Sequence, residues 1–532
     1  MTLPSDAAAP VLGRTRAYSI VFLVAVLVIT TIAALFVGNG DPAVALAPTL
    51  GLAFIYALCK LPLKVPALGL MVMGFVLEIP SEQFAEEKWH TPFRIVGALL
   101  FGQLKETTHI GALVFTGLDI VLLVLFAIHV YRRSTDARID KRDFVGAPPP
   151  MIWAALACLG GCAFAFLWGM ARGGSFRFSL WQIQRVIYLP LMFLLLHSAL
   201  PNARSYRVIG TIVLASATFR ALLAIYVRSV IPDVDYATTH ADSMLFAFAT
   251  AILVIGALEM RTRRTLLACA TLLPLFVWGM IANDRRLVWV ELASALAFAF
   301  VFARRSKAKI FVARLGLIAL PVIIGYIGIG WSSSSKLFAP VGIVRSVVDS
   351  SSDTSTRWRD LENYNLAMTV KQNPLIGSGY GHPYVTAVEL PDVTEAYELE
   401  PYAPHNSVLG IWAYTGYVGF ALQWMLLVIV VYFAVRSYRI AKDPADRTAA
   451  LGCFCAVVVY MVHLYGDLAL GTWASVFLIS SSMVISGKLA AAVGAWPSRS
   501  VASSARPEKP DTSYSVKAPL ALPERSATSP EH

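Results

Sequence analysis

Along most of the chain, apolar residues come in unbroken blocks separated by short polar turns. Strands would show a two-residue alternation, and the helices of a soluble protein a single apolar stripe; neither pattern dominates. Several blocks reach the ~20 residues needed to cross the hydrocarbon of a bilayer. The clear ones are Tyr18–Val37, Ile110–Tyr131, Met151–Met170, Met244–Glu259, Leu266–Ile281, Leu287–Ala303 and Tyr417–Val435. Ala43–Leu58, Val65–Ile79 and Val186–Leu200 are shorter, or broken by proline or charge. In hydrocarbon every backbone N–H and C=O must be bonded within its own segment, so each block is predicted to be a helix. The fold class that follows is all-α, a polytopic transmembrane helical bundle of about 12–14 spans.

Two regions depart from this rhythm. One is the long segment 331–405, between a transmembrane region over 1–330 and C-terminal transmembrane helices over 406–487. The other is the tail 488–532, rich in Ser, Pro and charge. With little apolar surface to bury, the tail is expected to be disordered. Within the long segment, Arg357–Gln372 places Trp358, Leu361, Asn365 and Met368 on one helical face, which predicts a helix lying on the membrane surface. Asn373-Pro374 should end it, because proline disfavours helical geometry in the residue before it. A glycine-rich turn, Gly377-Ser378-Gly379-Tyr380-Gly381, follows. Next come the acids Glu389, Asp392, Glu395, Glu398 and Glu400, which read as a solvated loop. Pro404-His405-Asn406-Ser407 then opens the next span, with Asn406 or Ser407 suited to cap it.

Composition excludes a soluble protein: 57% of residues are hydrophobic and only 14% charged. The first apolar block is too long for a signal-peptide core and lacks a following cleavage site. The six cysteines, Cys59, Cys158, Cys162, Cys269, Cys453 and Cys455, lie in or beside apolar blocks without metal-ligand spacing, and read as membrane-packed thiols. A net charge of +11 could suggest nucleic acid, but its placement argues against that partner. The basic residues gather in short turns at 132–142, 261–264, 304–309 and 436–447. Placed in the cytoplasm by the positive-inside rule, these turns put both termini inside and 331–405 outside.

Basic residues are then scarce on the outer side, and those present invite a functional reason. Arg285 and Arg286, in NDRR, sit where one span ends outside and the next begins. Arg185 opens an apolar segment on the same side. Arg220 lies about ten residues inside a span, roughly 15 Å from its outer end. An intramembrane charge costs at least ~2.5 kcal/mol on insertion scales, so it faces a wet cavity or a partner. Guanidinium groups converging there would suit a diphosphate, whose oxygens match their fork of donors. The plainer alternative pairs Arg220 with Asp119 or Glu291 to hold helices together, and leaves Arg285 and Arg286 on lipid headgroups. His405 stands at a helix N-terminus, which favours anions, and an imidazole exchanges protons near neutral pH.

Read together, Arg357…NPLIGSGYG…PHNSVLGIWAYTGYVGF resembles the shared core of the O-antigen ligase and Wzy polymerase family. The resemblance covers roughly 275–435. NDRR resembles the family's Ser-Arg element, with Asp284 where Ser is usual, which leaves open whether Arg285 or Arg286 takes the arginine's role. The resemblance implies a metal-independent GT-C-type glycosyltransferase of the bacterial inner membrane, needing no cofactor. Its donor would be a glycan on undecaprenyl diphosphate, and its acceptor another glycan or a lipid A core. It would work in contact with membrane lipid and beside polysaccharide export or flippase components. His405, Arg285 and Arg357 would be catalytic, while Arg286, Arg220, Arg185 and Asn406 would bind substrate. The resemblance leaves polymerase and ligase both open. A flippase of the same lipid would be expected to show internal repeats and midplane sites; no repeat is evident.

Overall fold

In the computed structural model the described residues are 24–33, 35, 42–78, 94–103, 115–135, 145–231, 237–333, 335, 338, 341–342, 345, 354–390, 401–466 and 472–497. They form helices joined by short turns, and among them no β-sheet forms. In chain order the helices are α1 (Val24–Ala33), α2 (Pro42–Lys60), α3 (Lys64–Val76), α4 (Arg94–Phe101), α5 (Gly117–Thr135) and α6 (Pro149–Ala171). There follow α7 (Phe176–Ala199), α8 (Tyr206–Val230), α9 (His240–Met260), α10 (Arg263–Asn283) and α11 (Leu287–Phe302). The last are α12 (Lys307–Gly330), α13 (Thr354–Gln372), α14 (Ser407–Ile440), α15 (Pro444–Gly466) and α16 (Trp473–Ala492).

Eight helices among the described residues are long and apolar enough to cross a membrane, or nine if α7, bent by 45° near residue 185, is one span. Four shorter apolar helices accompany them, so the protein is a multi-pass membrane protein. Pro190 contributes to the bend, because it cannot donate to the carbonyl of Val186 and its ring crowds that turn.

Burial divides the helices by position. α16 is buried almost throughout, whereas the spanning part of α12 is buried nowhere and turns Leu317, Val322 and Ile329 outward. The central helix carries many small and hydroxyl residues. Ser480 donates to Leu189 O (3.1 Å) and Ser486 to Val430 O (3.0 Å). In lipid there is no hydrophobic drive between helices, so close approach and such bonds supply the cohesion.

α16 runs past residue 487, the limit expected from composition, as far as Ala492. Lys488 is buried within it, donating from Nζ to Val145 O (2.5 Å). Its long apolar stem lets the helix continue while the amine reaches a carbonyl. The rest of the expected tail, 498–532, lies outside the described residues, as do parts of the first predicted span and of Ile110–Tyr131.

Side-chain contacts fix which helix ends lie together. Glu259 accepts from Tyr438 Oη (2.7 Å) and Arg447 Nε (2.8 Å), and Tyr438 Oη accepts from Arg304 N (3.1 Å). The basic turns at 261–264, 304–309 and 436–447 therefore share one end of the bundle. At the other end, a Cβ on Gly466 would come 2.7 Å from Leu287. Below that contact His463 Nδ1 meets Glu291 Oε1 at 2.7 Å, with both side chains fully buried. α11 and α15 are thus antiparallel neighbours. α15 also lies antiparallel to α14, so the starts of α11 and α14 face the same side.

Candidate active site

The site is assembled from the loop structure at that second end. α14 is broken at Gly416, whose backbone (φ 62, ψ −175) is open to glycine far more readily than to other residues. Into the break fits the turn that follows α13. Tyr417 N bonds Pro374 O (2.8 Å), Val418 N bonds Leu375 O (3.1 Å), Ser378 N bonds Ala413 O (2.9 Å) and Gly379 N bonds Tyr414 O (2.9 Å). Gly377, Gly379 and Gly381 all have positive φ. A Cβ on Gly379 would lie 2.4 Å from Gly169 Cα. The glycines of GSGYG thus serve close backbone packing against α6 and α14, as a turn. Tyr380, its fourth residue, is wholly buried, and burial pushes its phenol well above the ordinary range.

Gln182, on α7, ties the same loop down. Its side chain donates to His382 O (3.1 Å) and Tyr402 O (2.8 Å), and accepts from Gly381 N (2.5 Å). Phe178, one turn earlier, stacks on Tyr402 with ring centroids 3.7 Å apart. Neither residue stood out in the sequence, since a lone Gln at the polar end of a span carries no pattern.

α13 forms where the sequence predicts, starting three residues earlier. Its inward face is Glu362, Asn365, Leu366 and Thr369, whereas Trp358, Leu361 and Met368 are only half-buried. The buried face is mostly polar because the next loop brings backbone donors against it. Asn365 Oδ1 accepts from Ala387 N (3.0 Å) and Val388 N (2.9 Å), and Thr369 Oγ1 accepts from Val385 N (2.8 Å). Leaving such buried groups unpaired would cost ~1–3 kcal/mol each.

Midway along α13 the helix meets His405 and Asn406 in register. Glu362, 1% exposed, accepts from His405 N at 3.1 and 3.2 Å and stands 3.4 Å from Nδ1. Asn363 Oδ1 accepts from Asn406 Nδ2 (2.9 Å). Asn406 Oδ1 accepts from Leu409 N (3.1 Å), so it is the N-cap of α14. The Trp358 ring meets the imidazole edge to face, with centroids 4.9 Å apart. His405 keeps 27% of its side chain exposed. Arg357, the residue before Trp358, is exposed.

The other predicted residues lie on other helices. Asp284 ends α10 in a left-handed conformation (φ 54) and lies 3.5 Å from Arg228 Nη2. Arg285 is half-buried and Arg286 exposed. Asn283 holds this turn to the start of α9 by accepting from Thr238 N (2.9 Å) and Oγ1 (3.0 Å). Arg220 is engaged elsewhere: its Nε donates to Asp242 Oδ1 (2.6 Å), while Nη2 bonds Asp242 Oδ2 and Thr239 Oγ1 (3.3 Å). Neither Asp119 nor Glu291 is its partner. Asp119 is bonded by Thr116 N (2.7 Å) and by the Gln184 amide. Arg185 lies at the bend of α7, and its side chain is outside the described residues, as is the acidic stretch from Asp392 to Glu400.

Both corners sit at the end of the bundle where α11 and α14 begin. One offers a half-exposed imidazole backed by a buried carboxylate, the other a pair of guanidinium groups at a helix start. Chemically, an imidazole can exchange a proton near neutral pH and guanidinium groups can hold an anion. Residues 248–423, which contain both, match the Wzy_C family model, described as O-antigen ligase. No curated protein matches the chain.

Proposed function

We propose that this membrane protein, whose residues 248–423 match the Wzy_C model described as O-antigen ligase, is a glycosyltransferase acting on lipid-linked glycans, and that it polymerises undecaprenyl-diphosphate-linked oligosaccharide repeats at the periplasmic face of the inner membrane. The observation that supports this most is His405 itself, half-exposed at the start of α14, on the same end of the bundle as Arg285 and Arg286. An acceptor hydroxyl gives its proton to the imidazole as its oxygen attacks the anomeric carbon of the donor. The bond from that carbon to the phosphate oxygen breaks, and undecaprenyl diphosphate leaves with the electron pair. The leaving diphosphate needs charge stabilisation, and in this reading Arg285 and Arg286, with the exposed Arg357, supply it. Arg220 is left out of this set because Asp242 already holds its guanidinium.

A ligase reading is favoured by the description of the matching family model, and differs only in the acceptor, a lipid A core. Deleting the gene separates the two: a polymerase leaves lipid-linked single repeats, a ligase leaves polymer that never reaches lipid A. Chemistry is tested with purified lipid-linked donor. His405→Ala should lose ~10²–10⁴-fold in turnover. Asn406→Ala removes a cap worth ~1 kcal/mol and should be milder. Ordinary turnover by His405→Ala would overturn the mechanism.

A further inference from the structure

His405 is the residue most directly held by α13, and the manner of its holding has chemical content. Among the described residues, the hydrogen bonds that reach the Glu362 carboxylate all come from His405, two from its backbone N–H and a longer approach from Nδ1. A carboxylate with 1% exposure and so few donors is costly to bury unless a positive charge or a proton is supplied nearby. The surrounding architecture keeps it there. Glu362, Asn365, Leu366 and Thr369 form one stripe, and Asn365 and Thr369 lock the stripe to the 385–388 backbone. Trp358, one turn before Glu362, meets the same ring edge to face.

We propose that Glu362 is a positioning residue for the transfer reaction, acting through His405. This rests on the reading of His405 as the proton acceptor. In this scheme the carboxylate facing Nδ1 holds the ring hydrogen on that nitrogen, and Nε2 is the nitrogen that takes the proton of the acceptor hydroxyl. As the proton arrives the imidazole becomes a cation, and the carboxylate already in place stabilises it without reorganisation. The 3.4 Å separation is long for such a bond in the substrate-free protein, and contacts of this kind tighten when substrate fills the site. Glu362 itself neither gains nor loses a proton in this scheme. It fixes the tautomer and the ring.

The test compares Glu362→Gln, Glu362→Asp and His405→Ala as full-length proteins in detergent or nanodiscs, with purified lipid-linked donor. Glutamine keeps the size and an oxygen for the His405 N–H. Its amide, however, carries no charge, and turned towards Nδ1 it would donate and place the hydrogen on Nε2. Glu362→Gln is therefore expected to lower kcat by ~10²–10⁴-fold with donor KM little changed. Aspartate, shorter by one methylene but still charged, should restore part of the lost kcat. If His405→Ala is inactive while Glu362→Gln turns over normally, the positioning role is wrong and the histidine's role stands. If Asp and Gln variants lose activity equally and in step with thermal stability, Glu362 is only structural, which also overturns the proposal. Normal turnover by His405→Ala would instead remove the reading on which the proposal rests.

Discussion

Arg220 grips Asp242 through both arms of its guanidinium fork, with Nε 2.6 Å from Oδ1 and Nη2 on Oδ2, and both side chains almost fully buried. The same aspartate also accepts from Thr239 N (3.0 Å), closing the start of α9. Removing only the arginine strands a buried carboxylate. Arg220→Ala should cost ~3–5 kcal/mol, read as a lowered thermal unfolding midpoint in detergent. The double variant Arg220→Met with Asp242→Leu replaces the pair with apolar volume and should recover much of that loss. It should also remain active, since neither group is assigned to substrate. A stable but inactive double variant would return Arg220 to the diphosphate site.

Arg285 and Arg286 are expected to behave in the opposite way. They lie half-buried and exposed at a turn, so truncation should leave insertion and thermal stability near the native values. Arg285→Ala or Arg286→Ala should nevertheless sharply reduce glycan product, and the two variants together show which one contacts the diphosphate. Normal products from both single variants would rule out this diphosphate site.

The broken α14 makes a separate prediction about glycine. Gly379 has φ +82, and an added Cβ would meet Gly169 Cα at 2.4 Å. The left-handed backbone alone costs an ordinary residue ~1–2 kcal/mol, before the overlap is counted. Gly379→Ala should therefore loosen the 374–381 turn and free the start of α14. Limited proteolysis of the segment between α13 and α14, compared with native protein, would reveal it; an unchanged digestion pattern would contradict the packing role.

The sidedness of the bundle can be tested directly. The basic turns gathered at the end that bears Glu259 should be cytoplasmic, and the segment between α12 and α14 outside. A reporter active only in the periplasm, inserted near Glu395, should give signal. A reporter that works only in the cytoplasm, active at the same place, would reverse the orientation and displace the proposed site to the wrong face.

Sequence by itself determined what hydrocarbon demands. A block of apolar residues in lipid has no water for its backbone, so it must be helical, and α6, α9, α10 and α11 lie close to where their apolar blocks do. Strong local chemistry was equally legible: the extent of α13, the stop at Asn373-Pro374, and Asn406 as the cap of α14 depend on near neighbours along the chain. Partnerships across the bundle were not. Asp119, Asp242 and Glu291 are equally plain acids near helix ends or within apolar segments, and nothing local says which will face Arg220. Helix adjacency decided it, giving Asp119 to Gln184, Glu291 to His463 and Asp242 to the arginine. The buried face of α13 has a related cause. Periodicity sets Trp358, Leu361, Asn365 and Met368 on one face, of which the fold buries Asn365 together with Glu362, Leu366 and Thr369, because a loop about twenty residues later brings backbone donors to Asn365 and Thr369, and His405 brings its own to Glu362. Burial in that corner follows the pairing of polar groups, and pairing is a property of the folded chain.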